Sequence, residues 1–293
     1  METYNRFVMT VHELAERLGD SVDEGGHIVA ADCRYWLTEP HHGREAFLAG
    51  HIPGAIYLDM NQDLSSEVKE HGGRHPLPDP EQLAAKLTAA GVTKTSTIVA
   101  YDEQGGSGAS RFWWLLQWMG HEGEVLLLDG GWNAWLSAEL PVEQGVSSAA
   151  ASTDALRYEP NLQPQLLVSM EEVKSRLGRS DVVMIDSRDG ARYRGEVEPI
   201  DRVAGHIPGA VNQPWQGNLS ANGNWKSTEE QRDRWSEVVG DVEEIIVYCG
   251  SGVTACPNVL GLWQAGYRHA KLYTGSWSDW SSYEENPVAT GEE

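Results

Sequence analysis

Glu244-Ile-Ile-Val-Tyr-Cys-Gly-Ser-Gly-Val-Thr-Ala-Cys256 is the stretch on which the fold turns. Ile245 to Tyr248 form a short apolar run, as a buried strand requires. Gly250 and Gly252 follow at once, and a helical pattern spans Ala255 to Ala265. The same order stands earlier in the chain. Thr97-Ile-Val-Ala-Tyr-Asp102 leads through glycine-rich Glu103-Gln-Gly-Gly-Ser-Gly108 into a helical pattern from Ala109 to Met119. Strand, tight turn and helix make one unit of an α/β sheet.

Working outward from these two stretches, other segments recur in the same order. Thr10-Val-His-Glu13 matches Ser169-Met-Glu-Glu172, each a capping-box pattern before a helix. His27-Ile-Val-Ala-Ala-Asp-Cys-Arg34 matches Val182-Val-Met-Ile-Asp-Ser-Arg188, and His51-Ile-Pro-Gly-Ala55 matches His206-Ile-Pro-Gly-Ala210. Asp129-Gly-Gly-Trp132 matches Thr274-Gly-Ser-Trp277. Ordered matches of this kind mean duplication. The expected division is a first domain over 1–140, a linker over 141–165 rich in Ser, Ala, Pro and Gln, and a second domain over 166–293.

Within each half, apolar runs alternate with helical patterns. Strands are expected at Ile98–Tyr101, Val125–Leu128, Val182–Ile185 and Ile245–Tyr248. Helices are expected from Pro80 to Ala90, with Asp79 as N-cap, and from Thr228 to Val238. This alternation implies an α/β fold, with a parallel sheet covered by helices on both faces in each half. Ligands of such sheets bind beyond the carboxyl ends of the strands. Cys249 falls at one such end, and Asp102 at the matching end of the first half.

Composition narrows the function. Asp and Glu number 44 against 22 Lys and Arg, a net charge of -22. That field repels phosphate backbones, so no nucleic-acid partner is expected, and an anionic substrate needs locally placed cations. No apolar run suits a membrane span and the N-terminus lacks a secretory pattern, so a cytoplasmic protein without membrane association is expected. Three cysteines, Cys33, Cys249 and Cys256, do not suggest a disulfide framework, and no Cys/His spacing suggests a metal.

Cys249 is the candidate nucleophile. The curl allowed by Gly250 and Gly252 can aim several N–H groups at one point, and the following helix adds its positive end. A thiolate or a persulfide at that rim would be stabilised. The alternative is a cysteine that merely ends a buried strand. A phosphatase reading fails, because it needs an Arg six residues after the cysteine and Ala255 stands there.

The paired His-Ile-Pro-Gly-Ala segments, the duplication and the Cys249-Gly-Ser-Gly-Val-Thr254 loop resemble the tandem-domain rhodanese superfamily. The loop is most similar to that of its 3-mercaptopyruvate sulfurtransferase branch; the thiosulfate branch typically carries Cys-Arg-Lys-Gly-Val-Thr. The resemblance implies two tandem rhodanese-like domains, the first non-catalytic because Asp102 replaces the cysteine. It implies that Cys249 carries sulfur from 3-mercaptopyruvate, as a persulfide, to cyanide or to a thiol acceptor such as thioredoxin or a small thiol, without a cofactor. Gly250, Ser251, Gly252, Val253 and Thr254 would form the cradle, with Thr254 closing the loop or capping the helix.

The same resemblance assigns two arginines to the substrate carboxylate. Arg192 matches the first; Arg202 stands for the second across an apparent one-residue insertion. Both could instead pair with local acids such as Glu198 and Asp201. Arg188 is expected to brace Asp186. The resemblance also assigns Ser251 to a proton relay with a first-domain histidine, for which His51 is the candidate, although His206 occupies the same motif and suggests a brace. The competing readings are a thiosulfate:cyanide sulfurtransferase and a non-enzymatic sulfur-binding or docking module.

Overall fold

A computed structural model describes residues 6–19, 28–147 and 157–292. The chain forms two compact units. The first takes in residues up to Ser66, Pro78–Gln163 and Ala221–Trp225; the second takes in Glu67–Leu77, Pro164–Ser220 and Lys226 onward. The units are therefore not the two contiguous blocks read from the sequence. Each incorporates a short segment from the other half of the chain. Residues 148–156 of the expected linker lie outside the described residues. The described ends of that stretch lie on the first unit, where Glu143 pairs with His51 and the Asn161 and Gln163 N–H groups donate to the Met119 and Trp118 carbonyls at 2.8 Å each.

The first unit runs β1 (Val8–Met9), α1 (Val11–Gly19), β2 (Ile28–Asp32), α2 (His42–Ala49), β3 (Ile56–Tyr57), α3 (Pro80–Ala89), β4 (Thr97–Tyr101), α4 (Ser107–Trp118), β5 (Val125–Leu128) and α5 (Gly131–Ser137). Its sheet has the order β1-β5-β4-β2-β3, and every pairing is parallel. Central strand β4 is buried throughout, as helices on both faces require. Val99 and Tyr101 join one core with Leu14 of α1, Phe47 of α2 and Trp135 of α5. Ile98 and Ala100 point to the opposite face and are also buried. At α3, Asp79 accepts from the Glu81 and Gln82 N–H groups, with Pro80 in the first turn.

The second unit repeats this plan. It runs β6 (Leu167–Val168), α6 (Met170–Ser175), β7 (Val182–Asp186), α7 (Gly190–Tyr193), β8 (Ala210–Asn212), α8 (Thr228–Val239), β9 (Glu244–Tyr248), α9 (Cys256–Ala265), β10 (Lys271–Tyr273) and α10 (Ser276–Trp280). The order is β6-β10-β9-β7-β8, again all parallel. The Ser169 capping box closes in both directions, whereas at Thr10 only the Glu13 N–H donates and the Glu13 carboxylate turns to Arg6.

The duplication extends to buried polar contacts. Arg34 pairs with Asp32 at 2.6 Å, donates to the Gly50 carbonyl at 2.7 Å and lies over Trp132. Arg188 pairs with Asp186 at 2.6 Å, donates to the Gly205 carbonyl at 2.7 Å and lies over Trp277. The brace expected for Arg188 is thus present in both halves.

Candidate active site

β9 delivers Cys249 to the carboxyl edge of the second sheet, where the chain must turn into α9. The turn closes against α10: the Cys249 carbonyl accepts from Trp277 N–H at 2.9 Å and the Gly250 carbonyl from Ser278 N–H at 2.9 Å. Gly252 adopts φ +79°, and a Cβ there would lie 2.2 Å from the Thr274 carbonyl oxygen. Only glycine fits that position. The Gly252 N–H then donates to Cys249 Sγ at 3.2 Å. The loop thus directs a backbone donor onto the sulfur, and both Cys249 and Val253 are buried.

Ser276 supports Cys249 through its backbone. Its Oγ accepts from the Cys249 N–H at 3.1 Å and donates to the Tyr273 carbonyl at 2.9 Å. Ser276 holds φ 57°, in the left-handed region; its counterpart in the first unit is Gly131, at φ 55°. A non-glycine residue there costs about 1–2 kcal/mol. Ser276→Ala keeps that strain and leaves the Cys249 N–H without its acceptor, so a loss of about 1–3 kcal/mol in stability is expected. Ser276→Gly removes the strain and is expected to be milder. Urea unfolding of the two variants checks the order; a glycine variant less stable than the alanine variant contradicts this account.

Of the residues assigned from the sequence, Ser251 lies next to a histidine, but that histidine is His75. His75 Nδ1 lies 2.7 Å from Ser251 Oγ, and both residues are buried. His51 is engaged elsewhere. Its Nδ1 meets the Phe47 carbonyl at 2.8 Å, its ring stacks on Phe47 at 3.9 Å and Nε2 faces Glu143 at 3.3 Å. His206 repeats the arrangement on Tyr193, with 2.8 Å to its carbonyl and 3.8 Å between rings. The geometry of His51 is that of a turn brace. Thr254 does not act as the expected cap: α9 has no side-chain cap, and Pro257 occupies its first turn.

His75 arrives on the segment 67–77, which packs on the second unit. The Gly72 N–H donates to Asp279 Oδ1 at 2.7 Å, the Arg74 N–H donates to Ser278 Oγ at 3.1 Å, and His71 stacks on Tyr283 at 4.0 Å. Gly73 is at φ +83°, where a Cβ would lie 2.4 Å from the Gly275 carbonyl oxygen. Sequence reasoning missed this segment. The available signal was the aperiodic stretch between β3 and α3, containing Gly72-Gly-Arg-His75, since long irregular connections are often functional.

Arginines gather beside Gly250. A Cβ at position 250 would lie 2.9 Å from Arg74 Nη2 and 3.5 Å from Arg192 Nη1. Arg192 also pairs with Glu198 at 2.8 Å and Asp201 at 3.0 Å, and Arg74 pairs with Asp201. Burial raises the Asp201 carboxyl above its ordinary range against the pull of Arg74 and Arg192. For Glu198 burial acts in the same direction, but the Arg192 bond and the Asp201 and Ile200 N–H groups outweigh it and leave the carboxyl lowered. Arg202, the second arginine assigned from the sequence, is exposed, and the three atoms nearest a Cβ at position 250 belong to Arg74 and Arg192.

The matching loop of the first unit already holds an anion. Asp102 Oδ1 accepts from the Gln104 and Gly106 N–H groups at 2.9 and 2.8 Å, and Oδ2 from Gly108 and Ala109 at 2.8 and 3.0 Å. Trp132 N–H donates to the Asp102 carbonyl at 2.8 Å, as Trp277 does to Cys249. Ala221–Trp225 packs on this unit, with the Trp225 N–H on Asp129 Oδ1 at 2.9 Å. No cluster of three or more His, Cys, Asp or Glu residues is arranged to hold a metal among the described residues, and no helix there is long and apolar enough to cross a membrane.

Two parallel sheets of this order, with a cysteine loop on one and an acidic loop on the other, define a duplicated α/β domain. The family model described as "Rhodanese-like domain" matches residues 10–138 and 169–283, and the chain belongs to that family. A Pseudomonas aeruginosa protein bearing the name "Probable 3-mercaptopyruvate sulfurtransferase" is 41% identical over 97% of this chain and 98% of its own. A Mycobacterium tuberculosis protein named, without an established activity, for thiosulfate sulfurtransferase is 34% identical over 99% of both chains. Among solved structures, the 3-mercaptopyruvate sulfurtransferase of Leishmania major superposes with a TM-score of 0.81 at 29% identity, covering 98% of this chain and 77% of that one.

Proposed function

We propose that this protein is a sulfurtransferase that takes sulfur from 3-mercaptopyruvate onto Cys249. The observation that carries the reading is the Gly252 N–H directed at Cys249 Sγ, in a loop with no basic side chain of its own. The Cys249 thiolate attacks the thiol sulfur of the donor. The donor's carbon–sulfur bond breaks, its electron pair passes to the pyruvate enolate, and Cys249 becomes a persulfide. The enolate takes a proton to give pyruvate. Ser251, on the same loop and hydrogen-bonded to His75, offers a proton-carrying pair for this step. An acceptor thiolate then attacks the outer sulfur and leaves with it, restoring the Cys249 thiolate. Thioredoxin, a small thiol or cyanide fits that role, since each is a nucleophile toward sulfur.

The relatives divide between mercaptopyruvate and thiosulfate by name, and charge placement separates the two donors. Thiosulfate carries its charge beside the sulfur under attack and gains most from cations within the loop. Mercaptopyruvate carries one carboxylate remote from that sulfur, which suits guanidinium groups reaching in from outside the loop, as Arg192 does. Steady-state kinetics with both donors tests the assignment. kcat/KM for mercaptopyruvate is expected to exceed that for thiosulfate by about tenfold or more, the worth of one charged hydrogen bond. Equal or better use of thiosulfate overturns the donor assignment and leaves the persulfide step standing.

A further inference from the structure

We infer that Asp279 is a positioning residue for the reaction: it sets where His75 meets Ser251, and acts on the chemistry through that histidine. The inference rests on the Ser251–His75 proton pair proposed above. Asp279 lies on α10 and is buried. Two neutral groups hold its carboxylate. Oδ1 accepts from the Gly72 N–H at 2.7 Å, and Oδ2 accepts from the Tyr273 hydroxyl at 2.7 Å. Tyr273, on β10, is buried in the core of the second unit with Trp277 and Trp280. Burial, with Asp279 beside it, pushes the Tyr273 hydroxyl well above its ordinary range, so it stays a donor. The carboxylate is thus aimed from the core at a backbone N–H three residues before His75.

Helix α10 is a shared platform. Its N–H groups hold the nucleophile loop, Trp277 on the Cys249 carbonyl and Ser278 on the Gly250 carbonyl, at 2.9 Å each. Its side chains hold the 67–77 segment. Asp279 takes the Gly72 N–H, and Ser278 Oγ takes the Arg74 N–H at 3.1 Å. His75 follows directly, with Nδ1 2.7 Å from Ser251 Oγ. Histidine and serine are therefore registered against each other through one short helix. Of the two side-chain contacts, the one to Asp279 is charge-assisted and shorter, and so the stronger.

The duplication supplies an internal comparison. Leu128, Asn133 and Ala134 stand in the first unit where Tyr273, Ser278 and Asp279 stand in the second. The Trp132 N–H still reaches the Asp102 carbonyl, so the bond from helix to loop needs no acid at that position. The first unit holds its own visiting segment from Asp129, which matches Thr274. Asp129 accepts from the Trp225 N–H at 2.9 Å and from Asn224 Nδ2 at 2.6 Å. A Cβ on Gly106 of the Asp102 loop would lie 3.1 Å from the Trp225 ring. The acid thus stands at a different position in each half, and a different residue arrives at the loop: a tryptophan beside Asp102, a histidine beside Cys249.

The test follows pyruvate release from mercaptopyruvate in a single turnover and, separately, the discharge by cyanide of persulfide already loaded on Cys249. Asp279→Ala is expected to slow pyruvate release about tenfold to a hundredfold, the cost of misplacing a proton-transferring group by about 1 Å. Discharge is expected to change less than about threefold, since attack on the outer sulfur uses no proton from the pair. Asp279→Asn can still take the Gly72 N–H on its oxygen while its NH₂ donates to the Tyr273 oxygen, so it should stay within about threefold of wild type. The deciding comparison is made in His75→Ala. There Asp279→Ala should change pyruvate release less than about twofold, because the group it positions is gone.

Losses that multiply in the Asp279→Ala, His75→Ala double variant would mean two independent roles, and would overturn the inference. Equal slowing of pyruvate release and of discharge would overturn it too, by making Asp279 a support of the whole loop. So would an Asp279→Asn variant as slow as the alanine variant, which would assign the effect to charge and not to placement. If Asp279→Ala folds poorly, the Tyr273→Phe, Asp279→Ala double variant leaves no orphaned hydroxyl. It should unfold near the wild-type temperature with the same loss of pyruvate release, and wild-type release from it overturns the inference. If His75→Ala alone leaves pyruvate release unchanged, the proton pair itself fails and the role of Asp279 falls with it. If His75→Ala slows release, these variants judge Asp279 alone.

Discussion

Replacing Cys249 by serine is expected to abolish sulfur transfer, by about 10⁴-fold or more, while leaving the fold intact. The size follows from the role: removal of a covalent nucleophile takes away the intermediate and not merely one interaction. A serine oxygen is a hard, poorly ionised nucleophile toward sulfur and cannot serve as a persulfide carrier. No other cysteine is placed to replace it. The Cys33 thiol is buried, and burial together with Asp32, Asp102 and Asp63 pushes it well above the ordinary thiol range. Cys256 is buried at the start of α9 with its Sγ directed at the Gly252 carbonyl at 3.3 Å. The smaller oxygen fits the space of Cys249 Sγ, and the Gly252 N–H still has an acceptor. Thermal unfolding close to wild type, with no added sulfur on the protein by mass spectrometry after mercaptopyruvate treatment, is the expected pair of results. A folded Cys249→Ser protein that still turned over would end the persulfide reading.

What was legible in the sequence is what depends on local pattern. Strand β9 and helix α3 follow from apolar runs and from Asp79-Pro80, so their ends were read to within a residue or two. The parallel sheet followed from alternation, and the position of Cys249 followed from the sheet. The duplication did more than define domains. Because His206 stands where His51 does, the sequence itself offered a brace as the alternative for this histidine, and the two make matching contacts to the Phe47 and Tyr193 carbonyls.

What was not legible depends on long-range packing. Residues 67–77 have no periodicity, since they form neither helix nor strand, and their contacts lie about two hundred positions away in the chain. Nothing local in Arg74 or His75 announces which loop they will meet. Arg202 illustrates the converse limit. Counting along a motif across an insertion preserves residue type and says nothing of spatial position, and the guanidinium of Arg74, on a different segment, lies beside Gly250. Of the two roles read for Thr254, closing the loop or capping the helix, the second is not made: α9 has no side-chain cap and carries Pro257 in its first turn.

Replacing Asp102 by alanine is expected to destabilise the first unit by about 3 kcal/mol or more. Its carboxylate accepts four backbone N–H groups, all from the loop that follows β4. Each buried donor left without a partner costs about 1–3 kcal/mol, and part of that is recovered if water enters. The asparagine variant is the sharper test. Its amide oxygen can serve two of the N–H groups, but its NH₂ must face the other two, donor against donor. Asp102→Asn should therefore be nearly as damaging as Asp102→Ala, although it preserves shape and volume. The loop's geometry explains why. The carboxyl of Asp102 fills from within the loop that matches the Cys249 loop of the second unit, and its two oxygens hold the four N–H groups in place. Burial raises the Asp102 carboxyl, and the four N–H groups act against it. A loss of about 10 °C in the unfolding midpoint of this unit is expected for both variants, at about 2–8 °C per kcal/mol for domains of this size. Because two units need not melt together, hydrogen exchange at the Gln104, Gly106, Gly108 and Ala109 amides is the direct measurement. Those amides are expected to lose protection in both variants. Wild-type protection in Asp102→Asn would mean that charge does not hold this loop, and that the glycine turn alone is enough.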